Sequence, residues 1–151
     1  MIKLAMYKGK GMIGNAIIRF WTRSQYSHCE LISTKEGANY GMSSSLMDGG
    51  VRTKEIDFAS GNWDIIDLPW ADEDDVKQYL FETIDEKYSW LDLIRGQFFN
   101  RPYNEEGASF CSDWCATALG IPNGTMYSPR SLYEQCVFLN MMDKAGINNP
   151  Y

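Results

Sequence analysis

Apolar and polar positions alternate through much of the first half of the chain, whereas a spacing of three and four residues governs the second half. The segment IKLAMYK (2–8) alternates weakly and predicts a strand. In GMIGNAIIRFWTR (11–23), Met12, Ile13, Ala16, Ile17 and Phe20 fall on one helical face. Residues 27–33, 38–44, 50–56 and 62–68 read as further strands, with KEG (35–37) and MDGG (47–50) as turns. From Asp72 to Tyr88 the apolar residues Val76, Leu80, Ile84 and Tyr88 recur every four residues, which predicts an amphipathic helix. The acidic run ADEDD (71–75) suits the start of that helix. Another helix is predicted near 90–99, followed by a loop over 100–109. Ser109 is placed to cap a helix carrying Cys111, Cys115 and Leu119, which Gly120 and Pro122 end. A last helix starts with Ser128 as cap and Pro129 at its first position. A meander of strands followed by helices predicts an α+β fold, with an antiparallel sheet of about five strands packed against helices.

Composition narrows the classes of function. The 151 residues suffice for a single domain spanning 1–151, and 44% hydrophobic with 23% charged residues is a globular balance. A net charge of −6 argues against sequence-independent nucleic-acid binding, which needs basic surface. No run approaches the ~18 apolar residues of a membrane span, and the N-terminus lacks the apolar core of a secretory signal. The expectation is therefore a cytoplasmic protein, unless lysis or a dedicated secretion device delivers it elsewhere. Lys8, Lys10, Arg19 and Arg23 read as a solvated basic edge, without stable membrane insertion. The four cysteines (Cys29, Cys111, Cys115, Cys136) are expected as reduced thiols. No phosphate-binding glycine loop is present, and no cofactor is expected.

Candidate chemistry centres on the chain's single histidine. In a strand, His28 and Glu30 share one face while Cys29 and Leu31 take the other, so the carboxylate is placed to fix the imidazole tautomer. Cys111 falls in the first turn of its helix, where unpaired N–H groups and the dipole favour a thiolate. It reads as a nucleophile, a metal ligand or a small buried side chain. Cys29, Cys115 and Cys136 read as core. As a zinc site, HCE followed by CSDWC resembles the deaminase pattern, but the cysteines are separated by three residues, not two, and no proline precedes Cys111.

The strand SH-x-E-L, the glycine-containing strand after it, the GGVR strand and the late F-C-S helix start together resemble the circularly permuted papain-like proteins of the NlpC/P60 superfamily, in the YiiX-like and lecithin:retinol acyltransferase-like branch. The resemblance runs over roughly residues 3–125, with His28 ahead of Cys111 as in the permuted order. It implies a permuted papain-like fold, Cys111 as thiol nucleophile and His28 as general base. It also implies a third polar residue orienting the ring: Glu30, or one of Asn39, Tyr40, Ser43 and Ser44 on the next strand. The Cys111 backbone N–H would hold the oxyanion, with Tyr26, Ser43 and Ser112 as further cleft candidates and Trp114 packed beneath the helix. The implied reaction is acyl transfer through a thioester, on a peptide, amide or acyl substrate. An amidase or peptidase acting on peptidoglycan-type bonds is expected; a lipid acyltransferase or thioesterase and an inert binding domain are the alternatives.

Overall fold

The computed structural model describes residues 1–9, 24–45, 47–84 and 110–147. Five antiparallel strands form one sheet: β1 (Lys3–Tyr7), β2 (His28–Lys35), β3 (Ala38–Ser45), β4 (Gly50–Glu55) and β5 (Trp63–Asp67), in spatial order β4-β3-β2-β1-β5. The α+β class and the antiparallel sheet agree with the sequence expectation. β2 and β3 run directly into a two-residue turn, because Lys35 pairs with Ala38 and both Glu36 and Gly37 adopt positive φ. Such a turn matches the strand twist and favours glycine at its second position.

Register sorts the side chains into two faces. Leu4 opposite Leu31 and Met6 opposite Cys29 belong to the main core. Ala5 opposite Glu30 and Tyr7 opposite His28 take the other face, where Ala5, Ile32 and Phe58 form a small second cluster. Strand alternation thus sends a carboxylate and an imidazole to the side away from the main core.

Three α-helices are described. α1 (Glu73–Thr83) is capped by Asp72, whose side chain accepts from the amides of Asp74 and Asp75. It is shorter than the expected 72–88: Ile84 is its C-cap and is 41% exposed, so it does not face inward. Thr83 takes the inward place, because its hydroxyl accepts from the buried Trp114 indole N–H at 2.9 Å and donates to Tyr79 O at 2.7 Å. α2 (Cys111–Ala118) ends in a Schellman arrangement, with Gly120 N donating to Thr117 O and Ile121 N to Ala116 O. Its N-cap is Phe110, which makes no side-chain cap bond, so Ser109 is not the cap. α3 (Pro129–Lys144) begins with the expected Ser128 cap, reciprocated by Ser131. The helices predicted for 11–23 and 90–99, Tyr88, and the loop 100–109 with Ser109 lie outside the described residues.

The main core places Trp114, Cys115 and Ala116 of α2 and Leu132, Cys136 and Leu139 of α3 with Leu4, Met6 and Leu31. Each fully buried aliphatic side chain contributes roughly 1.5–3 kcal/mol. That burial holds α2 against the sheet and fixes where its N-terminus ends. Among the described residues, no helix is long and apolar enough to cross a membrane.

Candidate active site

Glu30 is the organising group. It lies in the middle of the sheet with 1% of its side chain exposed, and a buried carboxylate needs partners. Arg52 of β4 reaches it across β3 with a two-pronged grip: Nη1 donates to Oε2 and Nη2 to Oε1, both at 2.6 Å. The same Oε1 lies 2.8 Å from His28 Nε2. Burial pushes the Glu30 carboxyl up, but the hydrogen bonds from Arg52 and the charge of His28 outweigh it and hold the group below its ordinary value. Arg52 is itself anchored, since Nε donates to Asp48 Oδ2 at 2.8 Å and Lys54 pairs with the other oxygen at 3.2 Å.

His28 is the first residue of β2, and its ring is close enough to Cys111, at the N-terminus of α2, for the two to act on each other. With Nε2 held by Glu30, Nδ1 is the ring nitrogen left for Cys111, with which His28 also hydrogen-bonds. Burial disfavours the imidazolium. The negative Cys111 and Glu30 beside it reverse that and raise His28 from 6.5 to about 10.

Cys111 is the first residue of α2 and is 7% exposed. Its thiol is held well below its ordinary value, first by a hydrogen bond from the Cys29 thiol, then, against the opposing effect of burial, by the charge and hydrogen bond of His28. The positive end of the helix dipole acts in the same direction. Cys29 moves oppositely: burial, then its neighbours Cys111 and Cys115, push its thiol up. All four cysteines are free thiols.

The remaining sequence candidates are committed elsewhere. The Tyr26 hydroxyl donates to Asp64 Oδ2 at 3.0 Å, Ser43 Oγ to Ser44 O at 3.3 Å, and Ser112 Oγ to Tyr127 O at 2.6 Å. Asn39 accepts from Thr34 Oγ1 at 2.8 Å. The ring's carboxylate partner is Glu30, and no bond joins it to Asn39, Tyr40, Ser43 or Ser44 among the described contacts. Cys115 and Cys136 are core, as expected, whereas Cys29 touches the Cys111 thiol as well as filling space. Among the described residues, the buried side-chain hydroxyl without a partner is Ser27 Oγ, directly before His28.

The sequence offers no local pattern that marks Arg52 or Asp48, and Cys29 reads there as core. The GGVR motif holds Arg52, but its link to Glu30 depends on the registers of two hairpins. The available signal was a glutamate at a strand position whose neighbours predict burial, since a buried carboxylate calls for a cation.

Comparison with known proteins places the fold. No protein-family model matches the chain, and no curated protein matches it. Among solved structures it is similar to metalloprotein yiiX, DUF1105, from Escherichia coli O157:H7, with a TM-score of 0.54 and 11% sequence identity. The match covers 78% of this chain and 65% of that one, so the chain spans less than two thirds of that structure. At this identity the likeness is one of fold.

Proposed function

We propose that this protein is a cysteine hydrolase of the permuted papain-like type, cleaving peptide or other amide bonds through a thioester. The observation that carries the reading is a thiol at the first position of a helix, close enough to an imidazole for each to shift the other's titration, with the imidazole's Nε2 fixed by a buried carboxylate. The YiiX-like fold and the order of His28 before Cys111 support it.

The chemistry follows from the arrangement. The Cys111 thiolate attacks the substrate carbonyl, and its lone pair forms the C–S bond while the carbonyl electrons move to oxygen. The backbone N–H groups of the first turn of α2 face that oxyanion. Collapse expels the amine, which takes the proton of the His28 imidazolium. A water then attacks the thioester, giving its proton to His28, and the acid leaves as Cys111 is regenerated. Glu30 touches neither carbonyl nor leaving group; it holds the ring.

The structural neighbour is named as a metalloprotein. The donors here do not suit a metal ion. Both Glu30 oxygens carry the Arg52 guanidinium, whose charge would repel a cation, and His28 Nε2 is bound to the same carboxylate. Among the described residues no three His, Cys, Asp or Glu side chains are grouped to hold a metal.

The test is the pH profile of Cys111 alkylation by iodoacetamide, read by peptide mapping, in wild type and His28→Ala. The charges of Cys111 and Glu30 raise His28, and its imidazolium in turn lowers the Cys111 thiol. An opposite charge in contact stabilises an ionised group by about 2 kcal/mol. Losing about 2 kcal/mol lowers the thiolate population below neutral pH about thirtyfold, and the more basic thiolate regains about fivefold in nucleophilicity. His28→Ala should therefore alkylate about fivefold to tenfold more slowly at pH 6 and faster than wild type above pH 9. Superimposed profiles would exclude the dyad. Under the same reading, p-nitrophenyl acetate acylates Cys111 and the wild type turns it over; an inert scaffold forms no Cys111 acyl adduct.

A further inference from the structure

We propose that Arg52 is a positioning residue for His28, acting through Glu30, so that the site is a four-residue relay and not a triad. The proposal rests on the dyad reading above and extends it to a residue that does not touch the reacting atoms.

Geometry carries the argument. Glu30 Oε1 is shared between Arg52 Nη2 at 2.6 Å and His28 Nε2 at 2.8 Å, and Oε2 is held by Arg52 Nη1 at 2.6 Å. A planar guanidinium gripping both oxygens fixes the plane of the carboxylate as well as its position. The lone pair of Oε1 that meets His28 is aimed by that plane. The bridge passes over β3, and Gly41 leaves the space it needs: a Cβ there would lie 2.9 Å from Glu30 Oε2. Asp48 then holds the far side of Arg52 through Nε at 2.8 Å. Every polar direction of the Arg52 fork that these bonds use is spent on orientation, and none reaches Cys111.

Charge supplies the second reason. During turnover His28 alternates between imidazolium and imidazole. A carboxylate 1% exposed whose sole partner was His28 would stand unpaired each time the ring turned neutral, and would draw the proton meant for the leaving group. Arg52 is charged at every working pH, so Glu30 keeps a counterion in both states of His28. The titratable or charged groups that meet this network are Cys111 from α2, with Cys29 against the Cys111 thiol, Tyr7 opposite His28 on β1, and Asp48 on the far side of Arg52 with Lys54 paired to it.

Three variants decide it: Arg52→Met, Arg52→Lys and Arg52→Met combined with Glu30→Gln, each compared with Glu30→Gln and His28→Ala in the alkylation assay at pH 5–10, with far-UV circular dichroism as the check of folding. Arg52→Met should slow Cys111 alkylation at pH 6 at least threefold, and Arg52→Lys, which keeps the charge and loses the fork, should fall between it and wild type. In the Glu30→Gln background, Arg52→Met should change the rate less than twofold. An unchanged or faster rate in folded Arg52→Met, or an equal effect with and without Glu30, overturns the proposal. If Arg52→Met does not fold, Arg52→Lys decides, and a wild-type profile in that variant overturns it. Failure of the dyad itself is read separately, as a wild-type profile in His28→Ala.

Discussion

Gly41→Ala isolates the packing around the buried carboxylate. Glycine in a strand interior weakens the strand and is ordinarily a site for improvement. Here the added methyl carbon would meet Glu30 Oε2 at 2.9 Å, Ile56 Cδ1 at 2.7 Å and Phe58 Cζ at 3.2 Å. Ile56 Cδ1 ends a flexible side chain and moves aside. Glu30 Oε2 does not, because Arg52 Nη1 holds it at 2.6 Å. Overpacking of this kind costs about 1–3 kcal/mol, against a gain of about 0.4–1 kcal/mol from stiffening the unfolded chain, so the net loss should be about 1–2 kcal/mol. Urea unfolding in the presence of a reductant measures it. The same displacement tilts the carboxylate away from His28, so the variant should also alkylate more slowly at pH 6. Gly37→Ala is the control: φ is +83° with nothing within 4 Å of the added methyl, so it costs about 1 kcal/mol of backbone strain and leaves the thiol profile unchanged. Gly41→Ala with wild-type stability and a wild-type profile would refute the account of how Glu30 is seated.

Two further outcomes are expected. Cys29→Ala removes the thiol that donates to Cys111, so Cys111 should alkylate more slowly below neutral pH while His28 remains in place; an unchanged rate would show that the Cys29 thiol does not stabilise the thiolate. Although burial opposes it, Arg52, Ser45 and Lys54 hold Asp48 at about 2 against an ordinary 3.8, so its contribution to stability is present above pH 4 and is lost as pH falls toward 2. Its side chain is 27% exposed, which limits the contribution to about 1–2 kcal/mol, and Asp48→Asn should flatten the acid limb of the stability curve by that amount.

What the sequence revealed follows the range of the forces involved. Strand alternation needs only neighbouring residues, so His28 and Glu30 were placed on one face, and the five strands appear within a few residues of their expected bounds. The Ser128–Pro129 helix start is equally local. Local propensity favours Ser109 as the cap of α2, yet the chain enters that helix through Phe110 in an extended conformation with no side-chain bond. Periodicity puts Ile84 on the inward face of α1, but it cannot weigh a tertiary hydrogen bond: Trp114, fully buried on α2, needs an acceptor for its indole N–H, and Thr83 supplies it. Cys29 reads as filler in a strand, and its contact with Cys111 exists only once α2 is docked.

Arg52 shows the same limit most sharply. Its partner lies two strands away, so the contact requires the β2–β3 register, the β3–β4 register and the missing side chain at Gly41 together. None of these is a local pattern. Yet the sequence contains their physical consequence, because a glutamate that alternation sends beneath an apolar surface is unstable there without a cation. Once that requirement is stated, Arg52 is the side chain that meets it across β3, and the carboxylate's role follows. Paired with Arg52, Glu30 stays charged when His28 gives up its proton, so moving that proton between Cys111 and His28 creates or removes one ion pair without unpairing the other. The carboxylate therefore works as a fixed acceptor that sets the ring's direction, and the proton traffic of the site is confined to sulfur and imidazole.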